Sequence, residues 1–123
     1  MTDTCPGAAT FELLGKKWTA YIVWALLDGP RRFTELVAAA PGVRDRVLSR
    51  RLKELETAGL VTRAQYPEVP PRVEYALTPV GRELRGVIAE MERWGRRWER
   101  TRRQSRSVSS SDRRARRTVE ARR

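Results

Sequence analysis

The sequence predicts a mainly α-helical fold carrying one small β-hairpin, and three observations predict it. Leu48, Leu52 and Leu55 stand at i, i+4 and i+7, one apolar stripe on an otherwise polar segment. Two runs, 60–66 and 73–77, alternate in strand fashion and flank the proline-rich stretch 67–72. Val80, Leu84, Val87, Met91, Trp94 and Trp98 then recur in steps of three and four, a heptad seam. A chain of 123 residues has room for one domain with a modest core.

Each element follows from local chemistry. Cys5-Pro6 reads as a helix start over 6–14, because proline is tolerated at the first helical position, and Gly15 breaks the run. A second helix from 16 or 17 to 27 carries Trp18, Ile22, Ala25 and Leu26 at helical spacing and stops at Asp28-Gly29-Pro30. A short helix over 33–39 has Phe33, Leu36 and Val37 on one side and ends at Pro41-Gly42. The helix over 44–58 follows, with Gly59 suited to the left-handed position just past its end. The link between the two strands exceeds a tight turn and is stiffened by Pro67, Pro70 and Pro71, so it should project. Thr78-Pro79 then combines an N-cap with a first-turn proline and opens the last helix, which Gly86 and Gly95 weaken. There are no internal repeats.

Charge is distributed unevenly. Residues 1–100 hold 17 basic and 13 acidic side chains, whereas 101–123 hold 9 Arg against Asp112 and Glu120. The formal net charge of +11 favours a polyanionic partner, nucleic acid or an anionic membrane surface. Residues 101–123 are Arg- and Ser-rich with few apolar residues and are expected to be disordered. The single cysteine, Cys5, allows no intrachain disulfide and argues for a reducing compartment. With no histidine the usual general base and commonest metal ligand are missing, so no catalytic residue, cofactor or metal is expected. The longest apolar run, 20–27, is too short to span a bilayer, and residues 1–4 lack a leader pattern, so a cytoplasmic protein is expected.

The order of short helix, turn, amphipathic helix and hairpin is that of a winged helix-turn-helix, whose second helix enters the major groove of DNA. Opposite the leucine stripe stand Arg46, Ser49, Arg50 and Lys53, with Arg44 at the helix start. Arginine bonds guanine bidentately, and Lys and Ser reach bases or phosphates. The alternative is a solvated face in which Arg50 pairs with Glu54 four residues on, worth only a few tenths of a kcal/mol. The stiff hairpin tip ending in Arg72 favours the DNA reading, as a minor-groove or backbone contact.

At the level of motifs the chain resembles the HxlR-type regulators, relatives of the MarR-type winged-helix proteins. The resemblance rests on Cys5-Pro6, the runs Gly15 to Thr19, Leu27 to Leu36 and Leu48 to Glu56, and above all Tyr66-Pro67-Glu68-Val69-Pro70-Pro71-Arg72-Val73-Glu74-Tyr75. It covers about residues 5–98. It implies a homodimer built from the N- and C-terminal helices, with two recognition helices in successive major grooves of double-stranded DNA. The domain then spans 1–100, with recognition helix 44–58, wing 60–77 and dimerisation helix 78–100. Leu84, Val87, Met91, Trp94 and Trp98 form the dimer interface. The family commonly carries Ser where this chain has Arg44, with Asp45 as an alternative cap, so operator preference does not transfer.

Three features carry paired readings. Cys5, expected at a helix N-terminus where dipole and free amides favour the thiolate, is either an oxidant or electrophile sensor, as in members of the family, or an inert residue of the dimer interface. Trp94 and Trp98 line either an aromatic ligand pocket or, as the heptad favours, a dimer core. The Arg-rich tail either adds sequence-independent affinity through counterion release or merely solubilises. The function expected is a sequence-specific transcriptional regulator, and the competing class is a general nucleic-acid binder driven by the tail. A Cys5-centred enzyme lacks a supporting base.

Overall fold

The computed structural model describes residues 5–121, with side chains through residue 109. The leader reading at 1–4 and the final two residues of the expected tail lie outside the described residues. Eight elements follow in order: α1 (Ala8–Leu14), α2 (Thr19–Leu26), α3 (Phe33–Ala39), α4 (Asp45–Thr57), β1 (Val61–Tyr66), β2 (Arg72–Leu77), α5 (Pro79–Arg82) and α6 (Leu84–Ala121). One compact unit extends through Ile88 and a second, helical one begins at Ala89.

The core of the first unit is built from the predicted stripes. Leu48, Leu52 and Leu55 of α4 pack with Ile22, Val23 and Leu26 of α2, Leu36 of α3, and Val61 and Leu77 from the base of the hairpin. At about 1.5–3 kcal/mol for each large aliphatic side chain buried, this cluster holds α4 in place. The end of α4 is a Schellman motif: Leu60 N–H donates to Leu55 O and Gly59 N–H to Glu56 O, with Gly59 at φ 78°.

The strands pair antiparallel from Val61 opposite Leu77 to Tyr66 opposite Arg72. A further bridge was not anticipated. Arg31 and Tyr75 exchange backbone hydrogen bonds of 2.9 and 2.8 Å, tying the outer side of β2 to the segment before α3.

Several boundaries differ from expectation. α1 begins at Ala8 with Gly7 as N-cap, so Cys5 lies outside the helix. α2 begins only at Thr19, because Trp18 takes a left-handed conformation, φ 77°. The strain of a bulky residue there is about 1–2 kcal/mol. The helix opened by Thr78 is broken at Glu83 into α5 and α6. Thr78 caps it as predicted, its Oγ1 accepting from Gly81 N–H at 3.1 Å while donating to Gly59 O at 2.8 Å.

Where a disordered tail was expected from residue 101, α6 continues helical to Ala121. Low apolar content argues only against a buried core. It does not oppose helix, and Arg, Glu, Ala and Gln favour one while no Pro or Gly interrupts 96–121. Turn-spaced pairs such as Arg102–Glu99 at 3.0 Å add support.

Candidate nucleic-acid interface

α3, the turn through Gly42 and α4 form the helix-turn-helix. At the start of α3 the Glu35 carboxylate accepts the Arg32 backbone N–H at 3.1 Å. Val43 anchors the turn in the core. The Trp18 ring lies beneath the turn, 3.9 Å from where a Cβ on Gly42 would stand. Trp18 in its left-handed conformation thus acts as a buttress for the turn.

The charged residues of α4 divide into two sets. Arg51 and Glu54 face inward toward the α1–α2 connection. Arg51 Nε donates to Lys17 O at 2.9 Å, its Nη1 meets Glu54 Oε1 at 2.6 Å, and the second Glu54 oxygen pairs with Lys16 Nζ. Those hydrogen bonds, from Lys16 first and Arg51 second, hold the Glu54 carboxyl below its ordinary pKa. Glu54 is therefore occupied, and the expected alternative of an Arg50–Glu54 pair does not form.

The second set faces solvent. Arg46, Ser49, Arg50 and Lys53 are all exposed, and among the described residues none of their side chains has an ion-pair or hydrogen-bond partner. Arg44 occupies the N-cap position, φ −85° and ψ 144°, with no side-chain capping bond. Asp45 is thus the first helical residue instead of the alternative cap. Sequence reasoning missed one further cation, Arg63. It is exposed on β1 and shares with Ser49, Lys53, Glu56 and Tyr75 a cleft of about 280 Å³ between α4 and the hairpin. Strand alternation already put Arg63 on the same face as Val61, the face turned toward α4, and that was the available signal.

Arg72 is engaged within the wing itself. Its guanidinium meets Glu68 at 3.2 Å and Glu74 at 3.6 Å and lies 4.4 Å from the Tyr66 ring centre. It braces the hairpin, while Val69 at the tip is fully exposed.

The remaining expected site residues lie elsewhere. Cys5 is exposed, a free thiol whose own carbonyl accepts the Ala8 N–H at 2.9 Å. Leu84 packs against the core of the first unit, and Ile88, which the heptad did not include, is part of that core. Val87 is exposed in the first unit. In the second unit Met91, Trp94 and Trp98 are exposed, the two indoles stacked at 5.4 Å between centres.

A helix-turn-helix with a braced hairpin behind an unpaired cationic helix face defines a DNA-binding regulator of the winged-helix class. The chain belongs to the HxlR-like helix-turn-helix family, whose model matches residues 13–103. It is 44% identical over 98 residues to the uncharacterized HTH-type transcriptional regulator YvaP of Bacillus subtilis, covering 79% of this chain and 91% of the relative. Among solved structures it is similar to a MarR-family regulator from Porphyromonas gingivalis W83 (TM-score 0.72, 38% identity, 77% of this chain and 93% of that one). It is also similar to the transcriptional regulator YodB of B. subtilis in its reduced form (TM-score 0.67, 42% identity, 74% and 90%), which has been solved after diamide treatment too. The chain is a transcriptional regulator rather than an enzyme, its partner is double-stranded DNA, and none of its described helices is long and apolar enough to cross a membrane.

Proposed function

We propose that the chain is a homodimeric, sequence-specific DNA-binding regulator that reads its operator with the outer face of α4. The observation that carries this is the division on α4: Arg51 and Glu54 are consumed in holding the helix, while Arg46, Ser49, Arg50 and Lys53 are left unpaired. In this reading Arg50 and Arg46 contact base edges, Ser49 and Lys53 bases or phosphate, and Arg44 phosphate at the helix start. Arg63 meets backbone beside the wing, and Arg72 sets the pose of the hairpin that contacts the adjacent groove. The second protomer is held through Val87, Met91, Trp94 and Trp98, supported by their exposure in the single chain. Such a protein acts where the chromosome is, in the cytoplasm.

The same reading gives Cys5 a sensing role, supported by its exposure and by the existence of reduced and diamide-treated forms of YodB. With one cysteine per chain, the disulfide joins two protomers or one protomer and a small thiol. Two thiols lose two electrons and two protons, which reduce diamide to its hydrazine form.

Footprinting on the chain's own upstream region tests the reading. Arg50→Ala should erase the protected window while leaving weak, unselective binding; coincident footprints of mutant and wild type at equal concentration would reject the assignment. Diamide should change operator affinity of the wild type and leave Cys5→Ser unaffected, and equal responses would remove the sensor role.

A further inference from the structure

We propose that an arginine ridge on the distal part of α6 binds the phosphate backbone of duplex DNA irrespective of sequence, an inference that rests on the chain being a duplex-binding regulator. Arg97, Arg100, Arg103 and Arg106 follow one another at intervals of three. On a helix that spacing forms an inclined ridge that rises about 4.5 Å and winds about 60° per step, so the four arginines span roughly half the circumference, on the side away from Trp94 and Trp98. All four are exposed, and among the described residues none of their guanidinium groups has an ion-pair or hydrogen-bond partner. Their neighbours differ. Arg93 pairs with Glu90, Arg96 with Glu92 and Arg102 with Glu99, so the local carboxylates are already taken.

Two features point to phosphate as the occupant. Gly95 carries no side chain, and a shallow trough of about 650 Å³ opens there, lined by Arg93, Arg96, Arg97, Arg100 and Arg103 with Glu92 and Glu99. Residues 93–106 hold seven arginines and one glutamate, and the sequence adds Arg113, Arg114, Arg116 and Arg117 on a helix that runs to Ala121. Duplex DNA presents one negative charge per ~1.7 Å of its axis, the complement of such a row.

An anionic bilayer is the less fitting polyanion. Insertion at a membrane surface needs a sustained apolar face. Here Trp94 and Trp98 stack on each other, Arg102 covers Trp98 at 4.8 Å, and beyond them the same line reads Thr101 and Ser105. The family match ends at residue 103, so Arg97, Arg100 and Arg103 fall within it, while Arg106 and the arginines that follow lie beyond the matched segment.

The test uses the full chain and a labelled random-sequence duplex, with affinity measured by fluorescence anisotropy across a ~4-fold range of salt. Glutamine at all four positions (R97Q, R100Q, R103Q, R106Q) retains helix propensity and removes charge. Loss of four phosphate contacts lowers the salt slope by about 3.6, and of eight in a dimer by about 7.2, so the wild type should lose at least ~150-fold more affinity than the variant across that range. Lysine at the same positions should restore the wild-type slope. Parallel slopes for wild type and glutamine variant would overturn the proposal, as would loss of slope in the lysine variant too, which would implicate helix structure in place of charge. Parallel DNA slopes with charge-dependent retention on phosphatidylserine vesicles would transfer the ridge to a membrane partner. The outcomes separate cleanly from the operator reading: an unchanged slope beside an Arg50-dependent footprint rejects the ridge alone. Absence of any duplex binding by the wild type rejects both.

Discussion

Two glycines make opposite demands on their surroundings. A Cβ on Gly81 would stand 2.2 Å from Leu60 O, a backbone atom locked by the α4 terminus and by its hydrogen bond from Thr78 N–H. Gly86 faces open space, with nothing within 4 Å. Gly81→Ala should therefore cost about 1–3 kcal/mol, as overpacking does. Gly86→Ala should stabilise by about 0.5–1 kcal/mol through a less flexible unfolded chain. Urea denaturation of the two variants checks both signs, and equal shifts would contradict the packing at Gly81. Sequence reasoning identified Gly86 and passed over Gly81, because helix propensity is local whereas the approach of α5 to Leu60 exists only after folding. The same holds for Arg50 and Arg51. They are adjacent arginines on one helix, yet Arg51 is committed to Lys17 and Glu54 while Arg50 stays unpaired, and the partner that decides this is 34 residues away.

At the scale of elements, α4 was legible in its core and illegible in its fastening. The leucine spacing placed the buried stripe, and the terminal glycine takes the left-handed conformation expected of it. The contact between Lys16 and Glu54 spans 38 residues and leaves no periodic trace. It has a pH signature. A carboxylate whose pKa is lowered on folding contributes stability that is fully present above its unfolded pKa and lost as pH falls through the folded one. Thermal melts of the wild type should fall on acidification through the ordinary glutamate range and just below it, and Glu54→Gln should show a shallower fall. Parallel curves would mean that the fastening contributes nothing in solution. The hairpin shows the converse: alternation gave both strands, but not the two carboxylates that hold Arg72, the residue expected to contact DNA. For α6 the composition was read as disorder because little there can be buried, although helix needs no burial.

For the molecule as a whole, several large apolar side chains stay exposed, some of them in contact with one another, as Tyr21 is with Trp24 and Trp94 with Trp98. Phe11, Tyr21, Trp24, Val80 and Val87 are exposed in the first unit, and Met91, Trp94 and Trp98 in the second. Buried tryptophans at an interface commonly contribute about 2 kcal/mol or more each, so Trp94→Ala with Trp98→Ala should shift sedimentation toward a monomer. An unchanged dimer would move the association surface elsewhere. The backbone bridge between Arg31 and Tyr75 has a separate consequence. It welds the hairpin to the segment that launches α3, so the distance between the reading helix and the wing is fixed like the jaws of a set caliper. Under the proposed dimeric reading, each half-site must then present its two grooves at one gauge, and any tolerance for operators of different length must come from the spacing between half-sites.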